Sequence, residues 1–162
     1  MVDQSFDIKI KTVKPEERVS IEKVAAFSSS VFALGLSFET LLSDIERKKS
    51  ELIIARHDGR LIGFSLTKLA KRSRAISHIA VVEQFRRRGV GRDLINANWL
   101  SCSKNNVSKL LMMVAETDLS TQLFCKKTQF RCVKTHHGYL EATGEDVYQF
   151  ELPVRSYRPK TT

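Results

Sequence analysis

The stretch Ile79-Ala80-Val81-Val82-Glu83-Gln84-Phe85-Arg86-Arg87-Arg88-Gly89-Val90-Gly91-Arg92 decides how this chain is read. An apolar strand runs into a short turn, then into a basic loop with two glycines, then into a helix. A loop of this kind presents free backbone N–H groups at a helix N-terminus, where they favour an anion. Glycines at 89 and 91 let the backbone approach a ligand without a Cβ in the way. Arg86, Arg87 and Arg88 add positive charge beside them. The reading is a phosphate-binding turn between a strand and a helix. A solvated basic loop that merely starts a helix is the alternative, and the glycine spacing and the preceding strand weigh against it. No Lys-Ser/Thr follows the loop, as a P-loop requires, and Leu94 stands where a dinucleotide-binding fingerprint has its third glycine.

Working outward, residues 52–56 and 61–66 are apolar runs flanking Asp58-Gly59, a pair suited to a tight hairpin turn. The second run continues towards Leu69, turns through Lys71-Arg72-Ser73-Arg74 and returns over residues 76–82, so three antiparallel strands feed the loop. Upstream, residues 6–13 alternate apolar and polar as a half-buried strand does. A helix is expected from Pro15 to about Ser28 and another over residues 37–48. Downstream come the helix bearing Leu94, Ile95, Ala97 and Leu100, and then a continuous apolar strand over residues 110–115. Thr117 or Asp118 can cap a helix from Leu119 to about Thr128. Residues 130–135 read as a strand, a loop holds His136, His137, Gly138 and Gly144, and residues 147–152 form the last strand. Residues 153–162 read as a loose basic tail. The order β-α-α-β-β-β-α-β-α-β-β lets helices cover both faces of one mixed sheet, a three-layer α/β domain spanning residues 1–162.

Composition bounds the function without choosing it. The chain has 162 residues, 42% apolar and 28% charged, ordinary values for a globular domain. Its net charge of +9 is not ordinary and asks for a negative partner: nucleic acid, a ribosomal surface, an acidic peptide or a polyphosphate cofactor. No apolar run follows a basic start, so no signal peptide is visible, and no stretch is long enough to span a bilayer. Cys102, Cys125 and Cys132 are odd in number and lack metal-ligand spacing, which fits reduced thiols, a cytoplasmic setting and no metal.

Taken together, the strand order, the Arg86-x-x-Gly89-x-Gly91 loop and the segment 118–130 resemble the GCN5-related N-acetyltransferase (GNAT) superfamily, over nearly the whole chain. The resemblance is closest to the ribosomal-protein-alanine N-acetyltransferase type. There, a helix reading roughly Asn-x-x-Ala-x-x-Leu-Tyr leads to Gly-Phe; here Asp118-Leu119-Ser120-Thr121-Gln122-Leu123-Phe124-Cys125 leads to Gln129-Phe130. Glu145-Asp146-Val147-Tyr148 is similar to the acidic pair and strand that close such proteins. The resemblance implies a mixed, mostly antiparallel sheet splayed at a central parallel strand pair. It implies acetyl-CoA as co-substrate, with its pyrophosphate on the N–H groups of Arg86, Arg87, Arg88, Gly89, Val90, Gly91 and Arg92. The strand Ile79-Ala80-Val81 would run beside the pantetheine, and one of its N–H groups would hold the oxyanion. Asp118 replaces an Asn that contacts the pantetheine. The acceptor is a primary amine, first of all a protein N-terminal α-amine, with a ribosomal protein among the possible partners. No membrane partner is implied, and nucleic acid rests on charge alone.

The chemistry needs the acceptor ammonium deprotonated and the departing thiolate protonated. By this resemblance Met113 occupies the position of the usual Glu base and Cys125 that of the usual Tyr acid, and Gln129 replaces a Gly. Three candidates are left for catalysis. Cys125 is either a proton donor or a small apolar helix residue. Glu116 is either a base acting through water or a solvated charge at a helix start. Tyr148 is either an acid or a core tyrosine. His78 lies out of phase with Ile79 and Val81 and is expected on the other face; His136 and His137 are expected on the surface. The losses at 113 and 125 also allow a second reading: a degenerate acyl-CoA-binding or protein-interaction domain that keeps the cleft without turnover.

Overall fold

A computed structural model describes residues 7–159. Phe6, expected in the first strand, and the last three residues of the expected tail lie outside the described residues. In chain order the elements are β1 (Ile8–Thr12), α1 (Arg18–Val31), α2 (Phe38–Glu46), β2 (Ser50–His57), β3 (Arg60–Leu69), β4 (Ser73–Val81), α3 (Val90–Lys104), β5 (Lys109–Ala115), α4 (Leu119–Lys127), β6 (Arg131–Leu140) and β7 (Glu145–Pro153). A short 3-10 turn at Glu83–Phe85 separates β4 from the basic loop. The strands form one sheet in the order β1-β2-β3-β4-β5-β7-β6. Every neighbouring pair is antiparallel except β4 and β5, which are parallel.

Local chemistry accounts for the joints. Asp58 and Gly59 both have positive φ, 48° and 73°, as a two-residue hairpin turn requires. Ser37 caps α2 by accepting the N–H of Thr40 at 3.1 Å. The first helix begins at Arg18 rather than Pro15, because Lys14 N–H and Lys11 both bond the Glu17 carboxylate and hold residues 14–17 in a turn. β6 runs on to Leu140, so His136, His137 and Gly138 lie within the strand and not in a loop. The turn that closes this hairpin is at 141–144, where Gly144 (φ 71°) donates to the Leu140 carbonyl at 2.7 Å.

Helices α1 and α2 cover one face of β2, β3 and β4 through a core of Ile21, Val24, Leu41, Leu52, Ile54 and Phe64. Helices α3 and α4 lie on the opposite face. Val90 and Leu94 pack on Ile53, Ala55 and Ile62, while Ile95, Cys102 and Cys125 pack on Leu110, Met112, Phe150 and Leu152. This is the expected three-layer arrangement. The expected loose tail is a correction: beyond β7 the chain docks, with Val154 and Tyr157 buried in the core shared with α3. Trp99 Nε1 donates to the Val154 carbonyl at 2.9 Å, and the Tyr157 hydroxyl donates to Asn96. Two large apolar side chains placed where a helix face can receive them outweigh the basic residues around them.

Candidate active site

The parallel pair is short. β4 and β5 are matched only from Ser73↔Lys109 to Ile76↔Met112, although β4 continues to Val81 and β5 to Ala115. Beyond Ile76 and Met112 the strands part, and the sheet opens into a fork. The cause lies on the other side of β4, where the register with β3 jumps from Leu66↔His78 to Thr67↔Ile76 and leaves Ser77 as the extra residue of a β-bulge. A bulge bends and twists its strand, which swings the arm 77–81 away from β5. On α3, the Asn98 side chain holds β3 opposite this point. Its amide donates to Ser65 Oγ at 2.7 Å and its carbonyl accepts from Thr67 Oγ1 at 2.6 Å.

Along the open arm the backbone direction can be read from its neighbours. Val82 N–H donates to the Ile62 carbonyl, so residues 82, 80 and 78 turn their polar groups to β3. Ile79 and Val81 therefore turn theirs into the fork. Arg86 Nε donates to the Val81 carbonyl at 2.9 Å, tying the basic loop to this arm. The Ile79 and Val81 side chains pack towards α3, and Ala80 is buried towards α1 and α2.

The arm leads through the 3-10 turn to the N-terminus of α3. Gly89 occupies its N-cap with φ 89°, a left-handed conformation costly for any residue with a Cβ. The N–H groups of Val90, Gly91 and Arg92, in the first turn, have no acceptor within the helix. At Gly91 a Cβ would lie 3.0 Å from the ring of Phe124 on α4, so glycine allows the two helices to approach here. Arg92 brings a positive charge to the positive end of the helix dipole, an arrangement that an anion at this end offsets. Its Nε is buried with no hydrogen-bond partner among the described residues. The orphaned guanidinium nitrogen, the unpaired amides and the glycines fit a pyrophosphate.

Asp118 caps α4 and accepts the Thr121 N–H at 3.0 Å, so part of its carboxylate is engaged in the helix start. Glu116, exposed past the end of β5, accepts the Asp146 N–H at 3.2 Å and is held against the start of β7, beside the turn of the β6–β7 hairpin. Tyr148 pairs with Val114 and packs, half-buried, on the α4 side of the sheet. Cys125 does not line the fork. It is 0% exposed, its sulfur 3.8 Å from Met112 Sδ, and burial pushes its thiol up to about 12, with the Asp118 carboxylate adding to the rise. This is the packing alternative for that residue. Met113 is 42% exposed on the opposite face of β5 from Met112. His136 bonds Gln149 at 2.9 Å, and His137 bonds Asp146 at 2.7 Å. Gly138 N–H and His137 together hold the Asp146 carboxyl below its ordinary range. Among the described residues no group of three or more His, Cys, Asp or Glu is placed to hold a metal, and no helix is long and apolar enough to cross a membrane.

Alternation along the strand expects His78 opposite Ile79 and Val81, and that is where it lies. What the sequence does not reveal is the bulge before it. Ile76 faces α3, yet His78, two residues on, faces α1 and α2 with Ala80, because Ser77 inserts one extra residue and flips the alternation. Arg86 is read from sequence as a phosphate ligand through its N–H and its charge, whereas its N–H closes the 3-10 turn on the Glu83 carbonyl at 3.0 Å and its guanidinium is engaged with the strand.

A family profile described as an acetyltransferase (GNAT) domain matches residues 15–137. The chain belongs to the GNAT family. An N-alpha-acetyltransferase of Saccharolobus solfataricus is 31% identical over 97 residues, 57% of this chain and 57% of that protein; the match thus spans less than two thirds of that relative. Two solved structures share the fold. The ribosomal-protein-S18-alanine N-acetyltransferase of Escherichia coli superposes with a TM-score of 0.76 over 96% of this chain and 99% of its own, at 16% identity. NAA60 of Arabidopsis thaliana in complex with acetyl-CoA gives 0.77 over 92% and 99%, at 20% identity. The GNAT assignment agrees with the mixed α/β fold and its single parallel strand pair, β4 and β5.

Proposed function

We propose that this protein transfers an acetyl group from acetyl-CoA to a primary amine, the N-terminal α-amine of a protein. The observation that carries the reading is the fork. Two strand residues, Ile79 and Val81, turn their backbone N–H groups into it, with the Val81 carbonyl held by Arg86, and it ends at the open amides of α3 beside Arg92. A phosphate-bearing thioester fits that geometry from end to end, and the solved structure of NAA60 with acetyl-CoA supports the choice of ligand.

The bound co-substrate supplies an activated acetyl thioester. The chain's own residues do the rest. The α3 amides and Arg92 hold the pyrophosphate. The Ile79 and Val81 backbone aligns the pantetheine as an extra strand, and the Ile79 N–H donates to the acetyl oxygen as negative charge develops on it. The acceptor approaches from the α1–α2 side, where Phe32 and Leu34, the latter 87% exposed, stand in the connection between the helices. Positioning and oxyanion stabilisation supply much of the rate without any side-chain acid. Tyr148 is the remaining candidate for protonating the thiolate, and Glu116 for relaying protons through water at the end of β5. A cytoplasmic setting and a protein acceptor suit the basic surface.

Release of free coenzyme A, followed against peptides beginning with Ala, Ser or Met, against the N-terminal peptides of ribosomal proteins and against spermidine, tests the reading. Turnover is expected on one class of peptide and not on spermidine. Tight acetyl-CoA binding with no turnover on any amine overturns it and leaves the degenerate acyl-CoA-binding domain, the reading that the exposed Met113 favours.

A further inference from the structure

The transfer reaction needs a group that takes a proton from the acceptor ammonium, and Met113, exposed at the mouth of the fork, has none to offer. On the other arm, just past the last matched pair and on the same face as Met113, stands His78. We propose that His78 is the general base of this enzyme, its Nε2 accepting the proton of the acceptor ammonium; this rests on the acetyl-transfer reading above.

Three observations place it there. The bulge at Ser77 turns His78 to the α1–α2 face, where the acceptor enters, while the adjacent Ile79 turns its N–H into the fork. The ring is held edge-on against Phe32, with centroids 5.0 Å apart. Phe32 is itself fixed, because Ser28 Oγ accepts the Leu36 N–H at 2.8 Å and closes the connection between α1 and α2. Third, the hydrogen bonds select the tautomer. Ser77 Oγ donates its one proton to the Leu66 carbonyl at 3.1 Å, so it can only accept from His78 Nδ1, 3.1 Å away. Nδ1 therefore carries the hydrogen, and Nε2, which has no partner among the described residues, carries the lone pair.

Burial first, and then the charge on this face, keep the ring neutral. Lys68 on β3 faces it and is paired with Asp44 on α2, while β5 presents the uncharged Met113. Burial, and then Lys68, hold the imidazole below its ordinary range, so at pH 7 it is a base and not an acid. An α-amine of ordinary pKa, about 8, is mostly protonated at that pH. One ammonium proton passes to Nε2; the freed nitrogen attacks the acetyl carbon and forms the C–N bond as the C–S bond breaks. The second nitrogen proton reaches the departing sulfur by relay, the Tyr148 hydroxyl giving its proton to sulfur and regaining one from the nitrogen, and His78 returns the first to solvent. The sum is amide, thiol and one released proton.

The test uses the full chain, the peptide on which it turns over best, and the variants His78→Ala and His78→Gln. Acetyl-CoA affinity, read by calorimetry, is expected to stay within about twofold, while kcat falls roughly 100-fold or more at pH 7. Added imidazole should recover part of the loss in His78→Ala. The deficit should also shrink above about pH 9, where the peptide amine is already free. Turnover unchanged in both variants overturns the proposal, as does a loss that neither imidazole nor high pH recovers. A wild-type chain that binds acetyl-CoA but acetylates no amine overturns the acetyl-transfer reading and this one together.

Discussion

At the level of single residues, one backbone angle marks a strained position. Gln129, between α4 and the strand phenylalanine Phe130, has φ 70°. Left-handed backbone costs a residue with a Cβ about 1–2 kcal/mol, partly offset for glycine by the greater entropy of its unfolded chain. Gln129→Gly should therefore stabilise the protein by about 0.5–1 kcal/mol in urea unfolding, with acetyl-CoA affinity unchanged. His78 has a signature of its own. Its folded pKa lies below the ordinary 6.5, so the unfolded chain binds the proton more readily, and stability is full above pH 6.5 and falls as pH drops towards the folded value. His78→Gln should flatten the stability profile in that window. An NMR titration of His78 with a midpoint above 6.5 would contradict the desolvation that the structure shows.

At the level of elements, the bulge in β4 is what turns a sheet into a binding fork, and Asn98 is its brace. The Asn98 side chain is buried, and it satisfies Ser65 and Thr67, both also buried. Asn98→Ala leaves two hydroxyls without their partner, at about 1–3 kcal/mol each. Unfolding stability should fall by about 3 kcal/mol, and kcat should fall at temperatures where the variant is still folded, because the arm bearing His78 and Ile79 loses its support. A kcat equal to wild type would show that the fork holds its shape without the brace. These same elements mark how much the sequence discloses. The succession of elements along the chain, the hairpin at Asp58-Gly59 and the glycine loop can be read directly, since each is written in local pattern and turn chemistry. The bulge cannot: Ala75-Ile76-Ser77-His78-Ile79 reads as an ordinary strand, and the extra residue shows only against the partner β3. For the same reason Arg86 reads as a phosphate ligand, although its partner, the Val81 carbonyl, is set by tertiary geometry. The extension of β6 to Leu140 is likewise decided by pairing with β7 and not by propensity.

At the level of the whole molecule, the fork depends on the two halves of the sheet being held apart at one end and together at the other. At the closed end, Arg74 on β4 is buried and donates to Glu51 on β2 at 3.0 Å and to Ser101 on α3 at 2.6 Å. Beside it the chain end completes the packing: β7 closes on Pro153, Val154 N–H donates to the Ser108 carbonyl at 3.0 Å, and Tyr157 lies against Trp99 with ring centroids 5.6 Å apart. Burial holds the Tyr157 phenol above its ordinary range, so it stays a neutral donor to Asn96 across the physiological range. The residues after β7 therefore act as a clasp between α3 and the β5–β7 half of the sheet. Tyr157→Ala removes a buried ring and leaves a cavity, a change that costs about 3–5 kcal/mol for large aromatic side chains. Thermal unfolding of Tyr157→Ala should occur well below wild type, and deletion of residues 154–162 should lower it at least as far. Both losses should be relieved in part by saturating acetyl-CoA, because a ligand bound only to the folded state stabilises it by mass action. A truncated chain that melts with wild type would mean that α3 holds the two halves without the clasp.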